Sequence, residues 1–116
     1  MKYHEMNQLC GQAMGYTVYV NEHNLCYLSK VDVLMFSDHS KTQSKYSISY
    51  DPQSDDQQAM DLIKTMKLRI DISKDGRWLV SNGSPSSLSV FTESRVLNIA
   101  IVECVAKIQL EKMLNE

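Results

Sequence analysis

The amino-acid sequence predicts an α+β fold in which an antiparallel sheet of about four or five strands packs with three helices. Two observations favour this class. Apolar residues recur at helical spacing in three separate segments, and apolar and polar residues alternate at strand spacing between them. The predicted order is helix, strands, helix, hairpin, helix. With 116 residues the chain has the usual size of one domain, so residues 1–116 are predicted to form a single α+β domain.

The N-terminal region predicts a helix followed by strands. The helix covers residues 3–14 and ends at Gly15, a residue type that often stops helices. Its apolar stripe consists of Tyr3, Met6, Cys10, Ala13 and Met14. β-forming residues then predict strands over residues 16–20, 25–28 and 31–36. Residues 37–45 contain no apolar side chain and are predicted to form a mobile loop, and alternating apolar residues predict a further short strand over residues 46–50.

A second helix is predicted to begin at Ser54, because a serine followed three residues later by glutamine is a capping-box signal. Asp55 and Asp56 fall in its first turn, where carboxylates favour the positive end of the helix dipole. The apolar stripe of this helix is predicted to consist of Ala59, Met60, Ile63 and Met66.

A β-hairpin is predicted around Gly76. A three-residue loop ending at Gly76 pairs Ile72 with Trp78 and Ile70 with Val80, whereas a two-residue loop places Trp78 opposite a serine. The longer loop also gives Gly76 the left-handed conformation that glycine adopts at low cost. We therefore expect Trp78 to be buried together with Ile70, Ile72 and Val80.

The last segment predicts a loop over residues 82–87, a short strand over residues 88–91 and a helix that is capped by Thr92 and runs to about Leu114. This helix carries two opposite apolar stripes. One consists of Leu97, Ile101, Cys104 and Ile108, and the other of Ile99, Val102, Ala106, Leu110 and Met113. Both apolar stripes need to be covered from water. The sheet and another helix of the same chain can cover them, or a second subunit or a partner protein can cover one of them. The last residues of the second stripe are predicted to extend into an interface.

Composition and charge restrict the classes of function. Apolar residues make up 43% of the chain and charged residues 22%, which is typical of globular proteins rather than disordered chains. A net charge of −2 gives no broad electrostatic attraction to nucleic acid or to anionic membranes. The N-terminus does not resemble a signal peptide, and no apolar stretch is long enough to span a bilayer. Three cysteines, an odd number, favour free thiols in a reducing compartment, so a cytoplasmic location without membrane contact is predicted.

Catalytic and metal sites lack the residues that they need. The chain has no serine in a Gly-x-Ser-x-Gly nucleophile elbow, no phosphate-binding glycine loop and no helix with paired histidines. Cys26 with a histidine could form a nucleophilic dyad, but Cys26 lies in an apolar strand and is interpreted as a core cysteine. His23 and Cys26 have a ligand-like spacing, yet no second pair completes four zinc ligands. The sequence therefore predicts no catalytic residue, no cofactor and no metal.

Two charged groups are candidate partner-binding surfaces. The first is a group of aspartates near the start of the second helix: Asp51, Asp55 and Asp56. Capping and dipole stabilisation also explain acids at that position. The second lies on the exposed face of the hairpin: Arg69 and Arg77 beside Leu79. No interleaved aromatic residues support base stacking there, which argues against nucleic acid as the partner. Leu110 and Met113 of the last helix complete the candidate partner-binding residues.

Several segments form a pattern along the chain: residues 13–16, 46–51, 56–63 and 100–106, with a lone strand tryptophan at Trp78. Together they resemble the small phage and prophage accessory proteins of the phage αβα-sandwich type, which are related in pattern to the NinX-like phage proteins. Residues 20–45 have no counterpart in this pattern. The resemblance implies a phage-encoded accessory protein in a bacterial cytoplasm, a class that includes inhibitors of host defence. It implies no catalytic residues.

The leading functional hypothesis is a non-enzymatic phage or prophage protein that binds a host protein or protein complex and inhibits host defence, in the manner of anti-CRISPR proteins. One alternative is a homo-oligomeric phage structural or assembly accessory protein, such as a homodimer. Another is a small nucleic-acid-binding protein. Co-purification distinguishes the three, because it would recover a stoichiometric host complex, a self-assembly or a salt-sensitive nucleic acid.

Overall fold

The computed structural model describes residues 1–35, 41–82 and 90–115 of the chain. Within these residues the fold is α+β with three helices, as predicted. The helices are α1 (Tyr3–Ala13), α2 (Asp56–Met66) and α3 (Leu97–Leu114). The strands are β1 (Val18–Val20), β2 (Cys26–Met35), β3 (Lys41–Ser49), β4 (Arg69–Ile72), β5 (Trp78–Ser81) and β6 (Phe91–Ser94). None of the described helices is long and apolar enough to cross a membrane.

The described strands form two three-stranded antiparallel sheets, in the orders β1-β2-β3 and β4-β5-β6. The prediction of one sheet with four or five strands is therefore wrong for this part of the chain. The cause is the placement of the helices. α1 packs on the first sheet and α3 packs on the second, so each sheet has its own helical cover.

β2 and β3 form a long hairpin where shorter strands and a loop were predicted. The strands predicted over residues 25–28 and 31–36 merge into β2, and residues 41–45 of the predicted loop lie in β3. Residues 36–40 lie outside the described residues. The loop prediction failed because a strand is held by its backbone ladder, which does not require apolar side chains.

α3 lies at the centre of the core and contacts α1, α2, β5 and β6. Its middle turns are buried on both predicted stripes, at Ile101 and Cys104 on one and at Val102 and Ala106 on the other. Helix α1 covers part of the second stripe, since Cys10 Sγ donates a hydrogen bond to the Val102 carbonyl oxygen at 3.4 Å. In these turns the cover for both stripes comes from the same chain.

α2 begins one residue later than predicted. Asp55 is the N-cap residue, and its Oδ1 accepts a hydrogen bond from the Gln58 backbone N–H at 3.0 Å. The Ser54 hydroxyl instead donates to Asp51 Oδ2 at 2.7 Å. The prediction of Ser54 as the cap was wrong because a nearby carboxylate outside the helix binds its hydroxyl.

The buried stripe of α2 is narrower than predicted. Ala59 and Leu62 are fully buried, and Ile63 and Met66 are half-buried. Met60, which was predicted to belong to this stripe, is 46% exposed. α2 packs mainly against a single helix, α3. One neighbouring helix covers only a narrow stripe of α2, and Met60 lies outside that stripe.

β4 and β5 form the predicted hairpin in the predicted register. Ile72 pairs with Trp78, Ile70 pairs with Val80, and Gly76 adopts a φ of 85°. Val80 is fully buried, and Trp78 and Ile70 are half-buried. Ile72 is 62% exposed, so its predicted burial was wrong. The reason is that β4 is an edge strand, while α3 packs on β5 and β6.

The residue predicted to cap the last helix lies in a strand. Thr92 belongs to β6, where it pairs with Val80, and α3 begins further along the chain. The Thr92 hydroxyl donates to the Ala100 carbonyl oxygen at 2.6 Å, and both residues are buried. Most of the loop predicted over residues 82–87 and the start of the strand predicted over residues 88–91 lie outside the described residues.

Candidate functional site

Apolar side chains at the C-terminal end of α3 are exposed. Leu110 is 38% exposed, Met113 46% and Leu114 76%. Met113 also lines a shallow cleft of about 280 Å³ together with Leu9 of α1. We call Leu9, Leu110, Met113 and Leu114 the end patch. The patch has a polar rim, as protein interfaces commonly do, and the rim residues in the cleft are Glu5, Gln8 and Gln12.

The end patch exists because α3 is longer than the helix that covers it. α1 has 11 residues and α3 has 18. At about 1.5 Å per residue the two helices are about 16 Å and 27 Å long, so α1 covers only part of the length of α3. The last turns of α3 keep much of their apolar surface exposed, although Met113 borders α1. Leu110 and Met113, the predicted interface residues of α3, are therefore among the exposed ones, and their role in an interface stays a prediction.

Asp51 lies at the centre of a hydrogen-bond network that joins α1 to the segment before α2. Its Oδ1 accepts from the Tyr3 hydroxyl at 2.6 Å and from Asn7 Nδ2 at 3.1 Å. Its Oδ2 accepts from the Ser54 hydroxyl at 2.7 Å. Partial burial alone would raise the pKa of Asp51, but these hydrogen bonds outweigh burial and hold the pKa below its usual value.

Two buried amides extend this network. Asn7 is 2% exposed and Gln53 is 7% exposed. Gln53 Nε2 donates to Asn7 Oδ1 and to the Tyr3 carbonyl oxygen, each at 3.0 Å. The sequence does not predict a role for either residue, because amide side chains are usually exposed and a single one gives no periodic signal.

The other two candidate aspartates also contact their own chain. Asp55 caps α2, and Asp56 Oδ1 accepts a hydrogen bond from Asn98 Nδ2 of α3 at 2.8 Å. Asp55 and Asp56 therefore each have a hydrogen-bond partner within the fold. Whether these carboxylates also bind another molecule stays a prediction.

Arg69 of β4, Leu79 of β5 and Arg77, which directly precedes β5, lie among carboxylates. Arg69 Nε is 3.1 Å from Asp71 Oδ2, and Arg77 Nη1 is 2.8 Å from Glu93 Oε1. Leu79 pairs with Asp71 on one side and with Glu93 on the other. Neighbouring acids thus offset the positive charge that a phosphate backbone would need.

All three cysteines are buried free thiols, and the interpretation of Cys26 as a core cysteine is confirmed. Burial raises the pKa of each thiol, for Cys104 to about 11. Because the thiolate is the nucleophile, a buried thiol with a raised pKa is poorly suited to covalent catalysis.

His23 and Cys26 do not form a common site. His23 is exposed in the turn after β1, where its Nε2 lies 3.6 Å from Glu22 Oε1. Cys26 is buried, and its Sγ donates to the His4 carbonyl oxygen at 3.5 Å. Among the residues that the structure describes, no group of three histidine, cysteine or acidic side chains could hold a metal ion.

Comparisons of the chain with protein-family models, with curated proteins and with solved structures give no match. The resemblance to small phage accessory proteins therefore depends only on the sequence segments quoted above.

Proposed function

We propose that the chain is a non-enzymatic binding protein of the cytoplasm that acts by occupying a surface on another protein. The observation that carries this proposal is the end patch, in which apolar side chains from α1 and α3 meet at one end of the helix pair. Contiguous exposed apolar residues with a polar rim are characteristic of protein interaction sites.

The spacing of the exposed residues suggests how the partner is bound. Leu110, Met113 and Leu114 follow the i, i+3, i+4 pattern with which a helix presents anchors to an apolar groove. Full burial of a large apolar side chain contributes about 1.5 to 3 kcal/mol. Leu114, at 76% exposed, has the most apolar surface to bury, and Leu110 and Met113 have less.

The resemblance to phage accessory proteins extends this proposal to a phage-encoded inhibitor of host defence whose partner is a host protein or complex. The support for that extension is the sequence pattern alone. Arg69 and Arg77 support a protein partner over nucleic acid, because their charges are already offset by Asp71 and Glu93.

Capture from a bacterial lysate followed by reconstitution with the purified partner tests the proposal. The test variant is Leu110→Glu, which places a charge in the end patch. The matched control is Lys107→Glu, which introduces the same side chain at an exposed position one turn earlier on α3. We expect the control to retain the partner and Leu110→Glu to lose it while keeping the wild-type circular dichroism and melting curve.

Other outcomes separate the alternatives. Loss of self-association without loss of any other protein would indicate a homo-oligomeric accessory protein. Recovery of nucleic acid that is released by salt would indicate a nucleic-acid-binding protein. Retention of a reconstituted partner by folded Leu110→Glu, with an unchanged affinity, would contradict the end patch as the binding surface.

A further inference from the structure

A small cavity lies beside the C-terminal end of α1, between the first sheet and α2. Its volume is about 150 Å³. Pockets for drug-sized ligands have volumes of about 300–1,000 Å³, so this cavity fits a small molecule or a single side chain. Leu28 and Tyr50, which line it, are buried, whereas its other described lining residues are half-buried. The cavity therefore has a buried floor and a rim that borders solvent.

The hydroxyl of Tyr50 is a buried polar group without a partner. Tyr50 is 3% exposed, and among the residues that the structure describes none forms a hydrogen bond with its hydroxyl. Buried hydroxyls are paired in the large majority of cases, because an unpaired one costs free energy. A ligand in the cavity would supply the missing partner.

Asp61 of α2 gives the cavity a negative charge. Its Oδ1 accepts a hydrogen bond from Gln57 Nε2 at 3.1 Å, and in the described part of the chain no basic side chain forms an ion pair with it. Burial raises the pKa of Tyr50, and the charge of Asp61 raises it further, so the two groups lie within electrostatic range. A cationic ligand that donates hydrogen bonds is therefore favoured over an anion.

Gln58 also lines the cavity, but both ends of its amide are occupied. Its Oε1 accepts from the Asp51 backbone N–H at 2.6 Å, and its Nε2 donates to the Ser49 carbonyl oxygen at 2.7 Å. The hydrogen bonds of a ligand are therefore assigned to Asp61 and to the Tyr50 hydroxyl.

Aromatic and aliphatic side chains make up the rest of the described wall. The rings of Tyr16 and Tyr50 are nearly perpendicular, at 84°, with centroids 6.1 Å apart. The face of a tyrosine ring attracts cations. The aliphatic lining residues come from the end of α1, from β2 and from β3: Met14, Leu28 and Ile48. This wall suits a cation that carries a short apolar chain.

We propose that the cavity binds a primary alkylammonium group, either of a small amine or of a lysine side chain. The ammonium donates to the Asp61 carboxylate and to the Tyr50 hydroxyl, and its alkyl chain contacts the aliphatic wall. An ammonium is a compact charge with three donors, which suits a small cavity better than a planar guanidinium does. This inference goes beyond the proposed function, since the cavity shares no residue with the end patch.

Three small probes test the class of ligand. n-Butylammonium has the charge, the donors and a short chain, whereas 1-butanol lacks the charge and tetramethylammonium lacks N–H donors. We expect n-butylammonium to bind in the millimolar range, because a ligand with few atoms has little surface to bury. Each of the other probes should bind at least about tenfold more weakly. NMR titration gives the affinities, and the backbone signals of Met14, Tyr16 and Asp61 should shift most.

Removal of the charge tests the role of Asp61. Asp61→Asn keeps the shape of the side chain, so we expect the affinity for n-butylammonium to fall at least about tenfold while the circular dichroism spectrum stays that of the wild type. Asp71→Asn makes the same change at an exposed aspartate of β4 and should leave the affinity unchanged.

Tyr50→Phe separates binding from stability, because it removes the hydroxyl alone. We expect it to lower the affinity for n-butylammonium about two- to tenfold. The melting temperature of the unliganded variant should equal or exceed that of the wild type, since the lost hydroxyl has no partner within the described fold. A hydroxyl with a purely structural role would give the opposite pair of results.

A lysine derivative distinguishes the two sources of the ammonium. N-acetyl-lysine N-methylamide carries the same alkylammonium chain on a peptide backbone. Binding at least as tight as that of n-butylammonium would identify a lysine of a partner protein as the occupant. Binding of the free amine alone would identify a small amine.

Three results would overturn the proposal. The first is an absence of n-butylammonium binding at concentrations well above the millimolar range. The second is equal binding of n-butylammonium and 1-butanol, which would indicate a purely apolar cavity. The third is an unchanged affinity in both Asp61→Asn and Tyr50→Phe. Partner capture by the end patch is measured separately, so failure of this proposal and failure of the proposed function are distinguishable.

Discussion

The Tyr3 hydroxyl lies 2.6 Å from Oδ1 of Asp51, and this hydrogen bond joins the first helix to the segment that leads into the second. The two residues shift each other's titration in opposite directions. Burial and the neighbouring Asp51 raise the pKa of Tyr3 to about 12, while hydrogen bonds from Tyr3, Ser54 and Asn7 overcome partial burial and lower the pKa of Asp51. The network therefore favours an ionised carboxylate and a neutral phenol.

This network predicts a specific loss of stability in acid. The folded pKa of Asp51 lies below its unfolded value of about 3.9, so its contribution is fully present above that pH and is lost as the pH falls through the folded pKa. We expect Asp51→Asn to lower stability near neutral pH and to flatten the dependence of the urea midpoint on pH in the acid range. Asp71→Asn, which removes an exposed ion pair, is the control and should leave that dependence nearly unchanged. An Asp51→Asn variant with the wild-type acid profile would contradict the prediction.

The sequence predicted those features that depend on local periodicity. The hairpin register followed from the alternation around Trp78 and from Gly76, and the buried stripes of α3 followed from helical spacing. It did not predict the pairing of β3 with β2, because the polar residues 41–45 carry no apolar signal. Nor did it predict the contact of Asn7 with Gln53, which joins residues 46 positions apart through side-chain amides alone. Contacts of this kind follow from tertiary packing, which periodicity does not specify.

Gly11 allows α1 to approach β1 closely. A β-carbon at this position would overlap Cγ2 of Val18 and lie 3.3 Å from Cε2 of Tyr50. In an exposed helix, Gly→Ala would stabilise by about 1 kcal/mol, but overpacking in a core costs about 1 to 3 kcal/mol. Because Gly11 is buried, we expect Gly11→Ala to be destabilising, by about 1 kcal/mol, in urea unfolding. Gln12→Ala, at the exposed neighbouring position, should change stability by less than about 0.5 kcal/mol.

Trp78 and Ile72 are directly paired across the hairpin but differ in burial. Full burial of tryptophan would make its replacement by alanine cost about 3 to 5 kcal/mol. Since Trp78 is half-buried, we expect Trp78→Ala to cost about 2 to 3 kcal/mol. Ile72→Ala should cost less than about 1 kcal/mol, because this side chain is 62% exposed. Equal losses of stability for the two variants, measured by denaturant unfolding, would contradict this packing.

Substitutions of Thr92 test whether this residue lies in strand β6 or caps helix α3. At a helix N-cap, aspartate is as good as threonine or better, whereas valine is unfavourable. In β6, Thr92 is 3% exposed, and its hydroxyl donates to the Ala100 carbonyl oxygen. We therefore expect the opposite order: Thr92→Val removes one hydrogen bond and costs about 1 kcal/mol, while Thr92→Asp buries a charge and costs about 3 kcal/mol or more. The measurement is the free energy of unfolding in urea at neutral pH. A Thr92→Asp variant that is as stable as the wild type, with Thr92→Val less stable, would indicate that Thr92 caps α3 and that the helix begins at Glu93 instead of at Leu97.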